Sequence, residues 1–278
     1  RAALKEVEEK IERTVSELDR QAAPLPTSRL EMKDLPRTLS FRPYVNAGRP
    51  LFGGASEAVE GLSDAPVLLP LVNRGHIVVH GSSEDEQVQA MLKQLVAQSF
   101  TSAPRGQMVV SVYSPKLRGT LDGYQATGSV GSDLFRALKP NEGAFSDELA
   151  SQMQHTLQVR ASSASQYEDM GALVEVTGQH EHQYHVLVCL DAPSFWNDTI
   201  AGQVERLIDQ GASAGVSLII QVDPEQPVPD KVDLSQVTRK ATHLRKLSGR
   251  WVAEIPELMV AQPFEPLASP SVAEQRHL

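Results

Sequence analysis

Cysteine is nearly missing. The 278 residues contain one, Cys189, so neither an intramolecular disulfide framework nor a multi-cysteine zinc or iron–sulfur site can form. A single thiol fits a reducing interior, and the expected location is cytoplasmic, at the inner face of a membrane if missing segments or partners hold it there. Long hydrophobic runs are also missing: stretches such as 65–72 are short and contain proline, which excludes a membrane-spanning helix. Positive charge is in deficit, with 26 Lys and Arg against 35 Asp and Glu and a net −9. That balance argues against a protein that coats nucleic acid, while leaving room for a local basic patch. The first residue is Arg rather than Met, which predicts a piece processed or excised from a longer chain. What is present, 41% hydrophobic and 22% charged residues, is ordinary globular composition and excludes wholesale disorder. The length allows one large domain, or one domain with an appendage.

The chain divides into four parts. Residues 1–22 predict an exposed, coiled-coil-like amphipathic helix, with Leu4, Val7, Ile11, Val15 and Leu18 at steps of three or four. So short a stripe needs a partner surface, either its own domain or another helix. Residues 23–66 form a connector rich in proline, with the pair Gly53-Gly54, and suit an extended segment holding two short strands. From 67 to 265 the pattern alternates. Strands are predicted at 76–80, 107–113, 184–190, 216–222 and 251–254, and helices at 84–99, 145–160, 165–177 and 198–213. A glycine-rich loop is predicted at 119–131, and residues 266–278 form a tail. Strands separated by helices imply βαβ units and an α/β sheet covered on both faces.

The junction after the first of these strands carries the chemistry to be weighed. A phosphate-binding loop needs glycines for the backbone to wrap the phosphates, a Lys to reach them, and a Ser or Thr for magnesium. Gly81 holds the first glycine place, and Ser82 and Ser83 follow. Glu86, Gln87 and Val88 stand where the second glycine, the Lys and the Ser/Thr would be. Glu84, Asp85 and Glu86 would each repel a nearby triphosphate by roughly 1–4 kcal/mol per charge pair. The simpler alternative is an acidic first turn that caps its own helix.

Several segments, in order, resemble the motor domain of the FtsK/SpoIIIE family of translocating P-loop ATPases. Leu69-Pro70 followed by 75–81 resembles the approach to the family's Walker A loop. Residues 108–116 resemble its second strand, with Ser114 replacing the Asp of Asp-Pro-Lys. Glu148 to Tyr167 resembles the helical pair before the Walker B strand. Residues 185–191 resemble that strand, with Asp191 in place and Ala192 where the catalytic Glu belongs. Residues 214–220 and Pro224 resemble the sensor strand; matching Pro224 puts Val222 in the place of the sensor Gln. Residues 240–252 resemble the closing basic segment and strand. The resemblance implies a RecA-like, P-loop NTPase-type parallel sheet with helices on both faces, after an N-terminal helix and a Pro-rich connector. It also implies assembly with FtsK-like ATPase domains as a homo- or hetero-oligomer, with DNA and a membrane-anchored partner as further candidates.

Catalytic carry-over fails at the Lys, the Ser/Thr, the Walker B Glu and the sensor Gln. The expectation is therefore a non-hydrolysing module, a structural or docking unit of a translocase for DNA or polypeptide. It is comparable in kind to the non-hydrolysing ATPase-like modules of type VII secretion motors. Gly81, Ser82, Ser83, Gln87, Val88 and Asp191 form a vestigial nucleotide site, with no catalytic residue, no metal and no cofactor expected. One alternative is a divergent but active ATP-dependent DNA translocase, which would bind ATP and magnesium. Another is a partner- or nucleic-acid-binding protein that uses a basic segment.

That segment holds Arg239, Lys240, Arg245, Lys246 and Arg250, with no acidic residue from 234 to 253. It could neutralise a polyanion, or pair across a subunit boundary, with Glu84, Asp85 and Glu86 of a neighbour as natural partners. On a strand His180 and His182 would share a face and His185 would point away; no carboxylate spacing completes a metal site, and the segment reads as a polar loop entering the third strand. Cys189 reads as an inert buried thiol. No Gly-x-Ser-x-Gly elbow exists, and neither Ser129 nor Ser132 has a base.

Overall fold

Aliphatic runs of alternating exposure to two sides build the centre of the molecule. The structure, a computed structural model, describes residues 2–23, 41–51, 65–104, 106–116, 119–124, 133–162, 166–271 and 275. The expected features at 24–40, 52–64 and 125–132, Ser129 and Ser132 among them, lie outside the described residues. The strands of the main sheet are β3 (Gly48–Pro50), β5 (Ile77–His80), β6 (Met108–Tyr113), β7 (Phe135–Ala137), β8 (Tyr184–Ala192), β9 (Val216–Val222), β10 (Thr242–Leu247), β11 (Arg250–Ile255) and β12 (Val260–Pro266). Their order is β3-β12-β11-β10-β5-β9-β8-β6-β7. From β10 to β7 each neighbouring pair is parallel. β11, β12 and β3 extend the sheet antiparallel. A smaller sheet joins β1 (Ala22–Ala23), β2 (Tyr44–Asn46) and β4 (Leu68–Pro70) in the order β1-β2-β4.

Side chains alternate across the pleat, so each central strand feeds two cores. Ile77, Val79, Val186, Val188 and Ile219 face one apolar cluster with α2 (Glu86–Thr101) and α4 (Met170–Thr177). Val78, Leu187, Cys189, Leu218 and Ile220 face the other, with α3 (Glu142–Ala161) and α5 (Asp198–Gln210). This is the sheet with helices on both faces that the alternating pattern implied, of the RecA-like type that the family resemblance implied. α2 presents Val88, Met91, Leu92, Leu95 and Val96 to the sheet at helical spacing. Each of these four helices starts at an Asp or Asn whose side chain accepts a first-turn N–H: Asp85, Asn141, Asp169 and Asn197. A cap of this kind stabilises a helix by about 1 kcal/mol.

The proline-rich connector is fastened to α2 through two buried amides. Gln94 Nε2 donates to Asn46 O at 2.7 Å, and Gln98 both donates to Asn46 O (2.8 Å) and accepts from Asn46 N–H (2.6 Å). Among the described residues from 41 to 70 lie three short strands, β2, β3 and β4, where two were expected. α1 (Ala2–Gln21) is the N-terminal helix, and β1 follows it directly.

Several elements differ from the sequence reading: β7 and a short helix at Leu234–Val237 were not expected, and the helix expected at 165–177 begins at Met170. β10 occupies the middle of the basic segment, where no strand was expected because His243, Arg245 and Lys246 break its aliphatic character. β12 begins before the expected tail, since two prolines mask a strand that pairs with β11 across Trp251–Ile255. Residues 119–124, assigned to the glycine-rich loop, form a 3-10 turn that buries Thr120, Leu121 and Tyr124. No described helix is long and apolar enough to cross a membrane.

Candidate functional site

The C-terminal ends of β5, β6, β8 and β9 converge on one place, and the loop from β5 into α2 crosses above it. Gly81 turns the chain with φ at +139°, and its N–H donates to Val222 O at 2.9 Å. A side chain could not replace it: a Cβ would lie 2.7 Å from Val88 Cγ2. Val88 is fully buried, so a methyl group fills the space against Gly81 where a phosphate-binding loop would keep its concavity open.

Asp191 ends β8 at a bulge between β8 and β9, with φ at +54° and no exposed surface. Ser83 Oγ donates to its Oδ1 at 2.6 Å, and Lys116 Nζ lies 3.6 Å from the same oxygen. The Asp191 backbone N–H donates to Gln221 Oε1 at 2.6 Å, and Gln221 Nε2 donates to Gly81 O at 2.5 Å. Gln221 thus bridges the strand-end aspartate and the start of the β5–α2 loop. Asp191 Oδ2 is buried without a hydrogen-bond partner. Its negative charge is balanced by Lys116 alone among the described residues.

The sequence reading missed two of these residues. Counting back from Pro224 assigned the sensor place to Val222, which packs into the apolar core. The bridging amide is Gln221, one residue earlier, and a one-residue slip on a strand moves a side chain to the other face. The signal was a lone amide near the end of the run Val216–Val222. Lys116 had been quoted only as part of a strand, although a lysine just beyond a core strand's C-terminal end is placed to reach the site.

Asp85 of the loop is engaged as well. Asp85 caps α2 by accepting from Gln87 N–H at 2.8 Å, and Lys246 Nζ donates to its other oxygen at 2.6 Å. This hydrogen bond holds the Asp85 carboxyl below its ordinary range. Lys246 also sits over the Trp251 ring, 5.6 Å from its centroid. The pairing of Lys246 with Asp85, expected with a neighbouring subunit, is therefore made within one chain.

The rest of the basic segment is similarly placed. Arg239 pairs with Glu205 (2.8 Å) and Asp209 (3.4 Å), Lys240 with Asp209 (2.7 Å), and Arg245 with Glu254 (3.0 Å). Only Arg250 of the five makes no ion pair with a described residue. It lines a cleft of about 460 Å³ with Leu51, Gln87, Met91, Trp251 and Phe264.

His180 and His182 lie in the polar loop that enters β8, as expected. β8 begins only at Tyr184, so strand alternation does not govern His180 and His182. His182 and His185 both turn toward His155 of α3, with ring centroids 6.2 Å and 4.5 Å away, while His180 packs edge-on against Tyr184. Burial depresses His185 to about 3. Among the described residues no group of three His, Cys, Asp or Glu could hold a metal ion. Burial raises the Cys189 thiol to about 12, as an inert core cysteine requires.

No protein-family model and no curated protein sequence matches the chain. Solved structures do match it in three dimensions. EccC from Thermomonospora curvata (ATPases 2 and 3, in complex with a signal sequence peptide) aligns over 82% of this chain at 14% identity and a TM-score of 0.55. EssC (ATPases 2 and 3) from Geobacillus thermodenitrificans aligns over 84% at 10% identity and a TM-score of 0.58. The conjugation coupling protein TcpA of pCW3, as a monomer with ATPγS, aligns over 80% at 13% identity and a TM-score of 0.53. The chain spans 41%, 47% and 66% of those three chains. At such identities the likeness is one of fold: the chain has the RecA-like fold of these secretion and conjugation ATPases, the fold that its resemblance to the FtsK/SpoIIIE family implied.

Proposed function

We propose that this chain is a motor-like module that does not hydrolyse nucleotide and serves as a structural or docking unit in a translocase assembly. The observation that carries the reading is the self-filled nucleotide station. Val88 packs against Gly81, Ser83 and Lys116 occupy Asp191, and Gln221 ties Asp191 to the Gly81 carbonyl. Gln87 and Val88 offer neither the ammonium nor the hydroxyl that Mg-ATP requires, and Ala192 offers no carboxylate to orient water. These residues do not fit Mg-ATP. Its place is taken by contacts that stabilise the fold, which suits a subunit valued for shape. The partners on this reading are FtsK-like ATPase domains, in a homo- or hetero-oligomer, with a membrane-anchored component as a further candidate. The cargo class, DNA or polypeptide, is left to experiment.

Calorimetric titration of the intact chain with Mg-ATP tests the reading. No binding below millimolar concentration is expected; sub-millimolar affinity overturns it. Lys116 supports a second reading, a divergent ATP-dependent translocase, because a lysine already lies beside Asp191. On that reading Lys116→Ala abolishes ATP affinity measured for the unaltered chain. The third option, a polyanion site on the basic segment, is disfavoured by the ion pairs of Arg239, Lys240, Arg245 and Lys246 within the chain. Filter binding to DNA across a salt series tests it.

A further inference from the structure

Two loops beyond the ends of β8 and β9 display apolar side chains on an acidic rim. Residues 193–196 form a turn closed by Trp196 N–H donating to Pro193 O at 2.9 Å, and Phe195 sits third in that turn with φ at +67°. The left-handed region favours glycine, and a bulky aromatic there is strained. Nevertheless the Phe195 ring is not tucked away: the residue is 59% exposed, while its neighbour Trp196 is buried and pins the turn to the core. The second loop, after β9, has the same arrangement. Val232 is buried in the same core cluster, and Val228 is 46% exposed. Ser194 Oγ donates to Gln226 Oε1 at 3.1 Å, and Lys231 Nζ lies 3.9 Å from Asp198 Oδ2, so the two loops are joined on either side of these apolar residues. Pro193, Pro224, Pro227 and Pro229 stiffen the pair. Across 193–198 and 223–231 the exposed charged residues are Asp198, Glu225 and Asp230 against Lys231 alone, Asp223 being buried.

We propose that Phe195 and Val228 form a docking surface for a basic, apolar polypeptide segment. The aromatic ring supplies an anchor held in place before binding, which lowers the ordering cost of association. The acidic rim attracts Lys or Arg flanking the partner's apolar residues, and repels phosphates and acidic peptides. A polyanion is therefore the wrong partner for this edge. The proposal does not rest on the reading of the nucleotide station: it is argued from the exposure of Phe195 and Val228 and the charges of their loops.

The probe is a short fluorescent peptide of repeated Lys-Leu-Leu, titrated into the full chain and followed by anisotropy, with a Glu-Leu-Leu peptide and single-stranded DNA as comparisons. Saturable binding of the Lys-Leu-Leu peptide is expected, weakened by salt, with neither comparison competing. Phe195→Gly should weaken it by about tenfold or more, the scale of a hot-spot residue. The same variant should melt no lower than the parent, because glycine relieves the backbone strain. Val228→Ser, at an exposed position, should also weaken binding while leaving the melting temperature unchanged. Equal affinity of Phe195→Gly and the parent overturns the proposal, as does preferential binding of DNA or the acidic peptide, or no binding of the basic one.

Discussion

Lys246 Nζ and Asp85 Oδ2 lie 2.6 Å apart, joining the last parallel strand to the first turn of α2 across 161 residues of sequence. The same carboxylate caps the helix through Gln87 N–H. One side chain thus does what a bound phosphate would do at that terminus: it satisfies an exposed donor and places negative charge at the positive end of the helix dipole.

Replacing Asp85 separates the two roles. Asp85→Asn keeps a capping oxygen and loses the ion pair, which for partly exposed groups stabilises by about 0.2–1 kcal/mol. Asp85→Ala loses both and should cost about 1–2 kcal/mol in all. Urea denaturation of the two variants should rank them in that order. Equal losses would mean that the cap contributes nothing.

Gln87→Lys restores an ammonium at the head of α2 and should not restore turnover. Val88 still fills the space against Gly81, and Ala192 still supplies no carboxylate to the attacking water. A phosphate-release assay with the purified variant should read background. Measurable hydrolysis would show that another residue performs the task assigned to the missing Glu.

Stability should fall as the solution is acidified below neutrality. Burial, the largest cause in each case, depresses His76 to about 4 and His80 and His185 to about 3, from an ordinary 6.5. These groups are neutral when folded and protonate more readily when unfolded, so the unfolded chain binds more protons in that window. Their contribution is complete above pH 6.5, shrinks as pH falls, and is exhausted below the folded values. Thermal melts at a series of pH values should show the melting temperature dropping steadily from about pH 6.5 downward. A flat profile between pH 6.5 and 4 would mean that these imidazoles are hydrated in the folded chain.

The sheet was legible because its central strands are aliphatic runs that need burial on both faces, as in Ile77–His80 and Tyr184–Ala192. β10 was not, because Arg245 and Lys246 stand on a strand only half buried, with their charges satisfied by Glu254 and Asp85. Gln87 and Val88 at the head of α2 could be read directly, since residue identity is a fact of sequence. The contacts around them could not. Ser83 reaches Asp191 across 108 residues and Lys246 reaches Asp85 across 161, and nothing in residue spacing encodes such contacts. Gln221 lay between these cases: a polar residue in an apolar strand was visible, but the match to Pro224 drew attention to Val222 instead.

Gln221 is the most demanding single position of the site. It needs an acceptor toward the Asp191 N–H and a donor toward the Gly81 carbonyl, and both neighbours are backbone groups that no substitution removes. Gln221→Leu offers neither and leaves a buried donor and a partly buried acceptor unsatisfied, at about 1–3 kcal/mol each. Gln221→Glu keeps an acceptor but sets a second carboxylate beside fully buried Asp191, with Lys116 as its one ion-pair partner among the described residues. At neutral pH the glutamate should therefore be the more damaging change, although it is nearly the same size. A protonated glutamate can donate to Gly81 O and carries no charge, so acidification to about pH 5 should narrow the gap between the two variants. Chemical denaturation of both at pH 7 and pH 5 measures this. If leucine is tolerated at either pH, the bridge is incidental, and the loop above Asp191 is held by Val88 and Asp85 alone.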